Sequence, residues 1–140
     1  MKTGNRYVFD ACALLAIIYK EAGTDVVRSI IRLADKGEAT IYMNKLNLYE
    51  AYYDVTRSKG LEQADKFYDG IMGSSIQVID GIADSTFRKG AYLKSKYRMS
   101  LADSIALGEA FTMGASILTA DHHELDIVEQ NEDIQFTWFR

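Results

Sequence analysis

The chain has 140 residues, of which 48% are hydrophobic and 26% are charged, and its formal net charge is -4 at pH 7. These values fit one globular domain with a sizeable core, and the negative charge argues against a protein that binds nucleic acid by bulk attraction. The sequence shows neither a signal peptide nor an apolar run near the ~20 residues of a membrane span. Its single cysteine excludes an intrachain disulfide, so we expect a cytoplasmic protein.

The apolar pattern alternates between short strands and helices along the chain. Strands are predicted at residues 7–9, 40–43, 76–79, 117–119 and 136–139, and helices at residues 13–19, 25–36, 45–59, 61–72, 82–97 and 101–111. Asn44 and Ser100 are placed to cap two of these helices, and Gly60 is placed to end one. The alternation predicts a single α/β domain over residues 1–140, with a mostly parallel central sheet.

Asp10 ends the first predicted strand, whose residues Tyr7, Val8 and Phe9 suit a strand buried between helix layers. Ligands of open α/β sheets bind at the carboxyl ends of the strands, which makes this carboxylate a candidate functional group. Aspartate also caps helices, and from this residue alone both interpretations stay open.

Three further acids occupy comparable positions. Glu50 lies on the third predicted helix in apolar company, although helix content alone favours a solvated face. Asp103 stands three residues after Ser100, at the spacing of a capping box, and a cap role is compatible with a ligand role. Asp121 follows its predicted strand much as Asp10 follows the first strand.

Taken together, the four acids are expected to converge, because parallel strands end on one edge of a sheet and the next helices begin there. Two like charges about 4 Å apart repel by about 4 kcal/mol at an effective dielectric constant of about 20, so such a cluster needs cations or shifted pKa values. Oxygen ligands without suitable histidines or cysteines select Mg²⁺ or Mn²⁺. These ions activate water and neutralise charge on a phosphate.

Four short blocks of the sequence resemble the signature blocks of PIN-domain nucleases, in particular those of the VapC-type toxins of prokaryotic toxin–antitoxin pairs. The blocks are Val8-Phe-Asp10-Ala-Cys-Ala-Leu-Leu-Ala, Asn47-Leu-Tyr-Glu50-Ala, Ser100-Leu-Ala-Asp103-Ser-Ile-Ala-Leu and Ile117-Leu-Thr119-Ala-Asp121. The resemblance covers essentially the whole chain. The residues that match the family's acidic quartet and its supporting hydroxyl are Asp10, Glu50, Asp103, Asp121 and Thr119.

The resemblance implies a PIN-like three-layer α/β/α domain and an endoribonuclease that depends on Mg²⁺ or Mn²⁺. Such proteins are usually dimeric and are held inactive by a cognate protein antitoxin. Many members carry threonine or serine beside the first acid, whereas this chain has Ala11 and Cys12, so we expect a hydroxyl contact to be missing there.

Two other functions stay open at this point. A PIN-like module that binds RNA or protein with little or no nuclease activity fits the missing hydroxyls and the acidic composition. A phosphorylation-receiver domain shows a similar alternation of strands and helices. It needs a pair of acids after the first strand, where this chain has Ala11 and Cys12.

Two groups of surface candidates remain. The first is a basic segment without acids just before Asp103, and its members are Arg88, Lys89, Lys94, Lys96 and Arg98. It either holds an RNA backbone beside the metal site or forms an ordinary solvated helix face. The second group is aromatic and comprises Tyr42, Tyr49, Tyr52, Tyr53 and Tyr68. For this group, a role in the core and in dimer contact is favoured over base stacking or an antitoxin groove.

The residues near Asp121 and Asp10 complete the list of candidates. His122 and His123 are adjacent and lack a third histidine or cysteine, which disfavours a transition-metal site. Glu124 and Asp126 are better candidates for a supplementary acid. Cys12 has no catalytic histidine in a recognisable arrangement, so we predict a small buried residue there.

Overall fold

A computed structural model describes residues 5–140, and the first four residues, on which the signal-peptide expectation partly rests, lie outside the described part. The described chain forms five strands and seven helices. In chain order they are β1 (Arg6–Phe9), α1 (Ala11–Ile18), α2 (Thr24–Asp35), β2 (Thr40–Asn44), α3 (Lys45–Lys59), α4 (Leu61–Met72), β3 (Ile76–Ile79), α5 (Asp84–Lys96), α6 (Leu101–Met113), β4 (Ser116–Thr119), α7 (His122–Asn131) and β5 (Gln135–Trp138).

The strands form one sheet in the order β3-β2-β1-β4-β5, and every neighbouring pair is parallel. The central strand is β1, in which Val8 pairs with Tyr42 of β2 and with Ile117 of β4. Because the strands run in one direction, all of them end at the same edge of the sheet. The predicted α/β class is confirmed, and within residues 5–140 the sheet is entirely parallel.

Two apolar clusters cover the two faces of the sheet, since successive strand residues point to opposite sides. Phe9 and Leu118 pack into the first cluster, together with residues of α1, α2 and α3. Val8 and Ile117 pack into the second cluster, together with residues of α5, α6 and α7. These layers confirm the predicted α/β/α arrangement.

One helix, α7, is absent from the predicted elements. Its buried residues are only Leu125 and Val128, so its apolar pattern is too short to stand out. The helix begins after Asp121, whose side chain caps it. None of the helices in residues 5–140 combines the length and the apolar character that a membrane crossing requires.

Candidate active site

The carboxyl edge of the sheet opens into a pocket of about 330 Å³ that is rich in acids. The carboxylates that line this acidic pocket come from distant parts of the chain, and they are Asp10, Glu50, Asp54, Asp103, Asp121 and Glu124. Cys12, Tyr53 and Ser100 also line it. The four acids singled out in the sequence therefore share one cavity.

Asp10 is both a helix cap and part of the pocket wall. Its Oδ1 atom accepts a hydrogen bond from the amide of Ala13 at 3.1 Å, which caps α1. Only 3% of the residue is exposed. Burial raises the pKa of this carboxyl group, while hydrogen bonds from Cys12 and Ala13 oppose the rise. The two interpretations that the sequence left open are thus compatible.

Cys12 makes a contact that the sequence did not predict. Its thiol donates a hydrogen bond to Asp10 Oδ1 at 3.0 Å, and its sulfur lies 3.7 Å from Thr119 Oγ1. Burial and the charge of Asp10 raise the pKa of the thiol, so the group remains protonated and can donate at neutral pH. Neither residue 11 nor residue 12 carries a hydroxyl, as expected, and the thiol of Cys12 makes a polar contact with Asp10 instead.

Glu50 projects from α3 into the acidic pocket and is partly buried. Burial raises the pKa of its carboxyl group, and the charges of Asp10 and Asp54 raise it further. A freely solvated glutamate feels neither effect. The face of α3 that carries Glu50 is consequently part of the pocket and not an ordinary solvated face.

Asp103 lies in the first turn of α6, where its amide donates a hydrogen bond to the Ser100 hydroxyl at 3.0 Å. Burial raises the pKa of the Asp103 carboxyl to about 7, with further contributions from the charges of Asp10, Asp121 and Glu50. At neutral pH this group is partly protonated, so a cation that binds beside it displaces a proton.

Asp121 and Thr119 are linked at the end of β4. The Thr119 hydroxyl accepts a hydrogen bond from the amide of Asp121 at 3.2 Å. Asp121 Oδ1 in turn accepts from the amide of Glu124 at 3.3 Å, which caps α7. Since Thr119 is fully buried, this pair of contacts fixes the backbone that carries Asp121.

The donor set of the pocket suits a hard divalent cation. Among residues 5–140, one carboxylate oxygen each of Asp103, Asp121 and Glu124 lie within 4.8 Å of one another, so a single ion can contact all three. Mg²⁺ and Mn²⁺ prefer oxygen ligands, and the mutual repulsion of the acids falls when a cation binds. The residues of the pocket therefore fit such an ion.

Two acids of the pocket were given little or no weight in the sequence. Asp54 lies one turn after Glu50 on α3 and accepts a hydrogen bond from the Tyr19 hydroxyl at 2.7 Å. The i, i+4 spacing of Glu50 and Asp54 places both on one face of the helix and is the signal that points to it. Glu124 was considered only as a supplementary acid, because its position depends on the unpredicted helix α7.

His122 is engaged away from the acidic pocket. Its ring stacks on Trp138 with 3.8 Å between the ring centroids. One ring nitrogen lies 2.7 Å from Asp126 Oδ1, and the other lies 2.7 Å from the carbonyl oxygen of Arg140. The residue thus connects α7 to the segment that includes β5.

All three lysines of the basic segment contact other groups of the protein. Lys89 and Lys96 lie 3.6 and 3.2 Å from carboxylate oxygens of Glu132. Lys94 donates a hydrogen bond to the carbonyl of Met99 at 2.9 Å. Arg98 is exposed, two residues before Ser100 at the pocket wall.

The tyrosines of α3 and α4 line a second groove, with a volume of about 260 Å³. Its walls include Leu48, Tyr49, Tyr52 and Tyr68. Tyr49 is 61% exposed and Tyr53 is 45% exposed, so the prediction of a core role is wrong for these two residues. Tyr53 lines the acidic pocket instead.

A pocket of carboxylates at the carboxyl edge of a parallel sheet defines this as a candidate divalent-cation site of an α/β protein. The PIN domain family matches residues 7–129. The chain belongs to this family, as its four sequence blocks indicated. No curated protein matches the chain.

Solved structures with the same fold include chains of bacterial toxin–antitoxin assemblies. VapBC2 from Rickettsia felis, bound to a DNA fragment from its promoter, gives a TM-score of 0.74 at 17% identity over 95% of this chain and 98% of that one. A toxin–antitoxin complex from Klebsiella pneumoniae gives a TM-score of 0.60 at 13% identity, over 85% of this chain and 89% of that one. The sarcin–ricin loop cleaving toxin VapC20 from Mycobacterium tuberculosis gives a TM-score of 0.64 at 14% identity, over 89% of this chain and 95% of that one.

Proposed function

We propose that this protein is a metal-dependent endoribonuclease that hydrolyses RNA phosphodiester bonds with Mg²⁺ or Mn²⁺. One observation carries the proposal: Asp10, Glu50, Asp103 and Asp121, from four separate parts of the chain, line one pocket together. A bound divalent cation supplies activation of the attacking water and neutralisation of charge on the phosphate.

The chain's own residues have separate tasks in this proposal. Asp103, Asp121 and Glu124 offer the oxygens for the cation, and Asp10 and Glu50 add negative charge beside them. The thiol of Cys12 and the amide of Ala13 orient the Asp10 carboxyl group, and their hydrogen bonds favour its ionised form against the effect of burial. Thr119 holds the backbone of Asp121.

RNA is the proposed substrate, and two features of the pocket rim support it. Tyr53 lines the pocket and is partly exposed, which suits stacking against an unpaired base. Arg98 is exposed close to Ser100 and offers a positive charge to a phosphate. Arg98 thus offers one local positive charge in a chain whose net charge is -4.

We further propose that the chain is a single-domain, cytoplasmic toxin that forms a homodimer and is held inactive by a protein antitoxin. The likeness to a sarcin–ricin loop cleaving toxin and to a toxin–antitoxin complex supports this role. The exposed aromatic groove between α3 and α4 is a suitable surface for an apolar helix of such a partner.

The proposal is tested by incubating purified protein with a structured RNA in Mn²⁺, Mg²⁺ or EDTA, beside Asp103→Asn and the exposed control Glu38→Gln. We expect cleavage by wild type and by Glu38→Gln in either metal. We expect none in EDTA, and a loss of at least about 100-fold for Asp103→Asn. Equal cleavage by Asp103→Asn or in EDTA contradicts the metal mechanism. Absence of cleavage by folded, metal-loaded wild type favours the alternative of a binding module.

A further inference from the structure

Asn47 lies between the two helices that carry Glu50 and Asp103. Asn47 is fully buried, and its side-chain Nδ2 donates a hydrogen bond to the carbonyl oxygen of Ala102 at 3.0 Å. Asn47 belongs to α3, whereas Ala102 belongs to the first turn of α6. The bond therefore joins the two helices at the end that faces the acidic pocket.

The carbonyl of Ala102 does not need this bond, and the bond satisfies only one of the two polar atoms of the Asn47 side chain. The carbonyl of Ala102 lies within α6, where it already accepts the amide four residues further on. The other polar atom of the side chain, Asn47 Oδ1, is buried without a hydrogen-bond partner among residues 5–140. A buried carbonyl without a partner lowers stability, so folding alone favours an apolar side chain at this position.

The position of the bond relates it directly to two acids of the pocket. Asn47 precedes Glu50 by one helical turn and lies on the same face of α3. Ala102 is the immediate neighbour of Asp103. A shift of α3 along α6 would change the distance between the two carboxylates, and this hydrogen bond opposes such a shift.

We propose that Asn47 is a positioning residue, which fixes the separation of Glu50 and Asp103 and so sets the affinity of the acidic pocket for a divalent cation. The inference rests on the proposed function of the pocket. It assigns to Asn47 no contact with the cation or with the RNA.

The test measures Mn²⁺ affinity and thermal stability separately, by calorimetric titration and by unfolding in EDTA. The test variant is Asn47→Leu, which keeps a branched side chain of related shape and removes the donor. The matched control is Ser116→Ala, which removes a partly buried hydrogen bond between Ser116 and Thr137 at the opposite edge of the sheet. Asn47→Ala repeats the test if the leucine variant does not fold.

We expect Asn47→Leu to unfold at the wild-type temperature or above it, and to bind Mn²⁺ about 10-fold more weakly or worse, as the loss of an orienting partner does at other metal sites. Ser116→Ala should lose stability and keep its affinity. If an Asn47 variant binds Mn²⁺ within about twofold of wild type, this inference is overturned and the proposed function is not. The same holds if Mn²⁺ affinity and stability fall together in all variants, the Ser116→Ala control included. Wild type that binds no Mn²⁺ overturns the proposed function as well.

Discussion

The thiol of Cys12 donates a hydrogen bond to the buried carboxylate of Asp10 at 3.0 Å. Removing this donor should raise the pKa of Asp10, because the bond favours the ionised carboxylate. We expect Cys12→Ala to bind Mn²⁺ about 10-fold more weakly and to shift the acidic limb of the pH–rate profile to higher pH. Cleavage rates between pH 5 and pH 9 measure the shift.

Cys12→Ser is the matched variant for this experiment, since its hydroxyl replaces the thiol as donor. It should retain the wild-type profile. If the alanine and serine variants share one profile, the hydrogen bond has no part in preparing Asp10.

The acids of the pocket should make the metal-free protein less stable as the pH rises. The pKa of Asp103 is about 7 in the folded protein, mainly through burial, and about 3.9 in an unfolded chain. The folded state therefore holds more protons between these two values, and the free energy of unfolding falls across this interval by up to ~4 kcal/mol. Unfolding by urea in EDTA at pH 5 and pH 8 measures the loss.

Asp103→Asn tests whether the raised pKa of Asp103 causes the fall in stability with pH. Its stability should vary less with pH and should exceed that of wild type at pH 8, whereas Glu38→Gln should follow wild type. Mn²⁺ at pH 8 should stabilise wild type, because it binds the folded state. A wild-type stability that rises from pH 5 to pH 8, or an unchanged slope in Asp103→Asn, contradicts the prediction.

Helices α5 and α6 approach closely at two glycines. A Cβ atom on Gly108 would lie 2.6 Å from the carbonyl oxygen of Thr86 and 3.0 Å from the amide nitrogen of Gly90. Both neighbours are backbone atoms, so the helices would have to move apart. We expect Gly108→Ala to lower the free energy of unfolding by about 1–3 kcal/mol.

Gly70 on α4 is the control, because a Cβ atom there meets nothing within 4 Å. Gly70→Ala should raise stability by about 0.5–1 kcal/mol through helix propensity alone. If chemical denaturation gives the same change in the free energy of unfolding for Gly108→Ala and Gly70→Ala, the close contact between α5 and α6 at Gly108 does not stabilise the fold.

The carboxylate of Glu132, just after the end of α7, lies close to three donor side chains. The Tyr97 hydroxyl lies 2.6 Å from Glu132 Oε2, Lys96 Nζ lies 3.2 Å from the same atom, and Lys89 Nζ lies 3.6 Å from Oε1. The bond from Tyr97 is the largest cause that lowers the pKa of Glu132. Glu132→Gln should reduce stability at pH 7 by about 1 kcal/mol, as for one partly exposed charged hydrogen bond.

The effect of Glu132→Gln should depend on pH in a defined direction. A carboxyl group with a lowered pKa stabilises the fold above its unfolded value of about 4.3, and this contribution disappears as the pH falls through the folded value. The difference from wild type should therefore vanish in acid. A difference of equal size at pH 3 and pH 7 would contradict the electrostatic origin.

Local sequence signals were sufficient for most of the fold. Asn44 and Ser100 accept hydrogen bonds from the first turns of α3 and α6, and Gly60 ends α3, as predicted from their positions. The helix α7 was missed because Leu125 and Val128 alone contribute to the core. Periodicity identifies a helix only where it buries a longer stripe.

The arrangement of the acids was open to prediction because it follows from parallel topology, whereas the contacts around them were not. The bond from Asn47 to Ala102 and the bond from Cys12 to Asp10 depend on side-chain geometry that no spacing rule encodes. The close approach of Gly90 and Gly108 likewise depends on how α5 packs on α6. Tertiary packing supplies these details.

The central claim is that the acidic pocket holds a divalent cation, and crystals soaked in Mn²⁺ test it most directly through anomalous scattering. We predict a strong anomalous peak in contact with oxygens of Asp103, Asp121 and Glu124, whose mutual distances already lie within 4.8 Å. Crystals of Asp103→Asn should lose the peak, and crystals of Glu38→Gln should keep it. A soaked wild-type crystal with an open pocket and no manganese among these carboxylates would contradict the account.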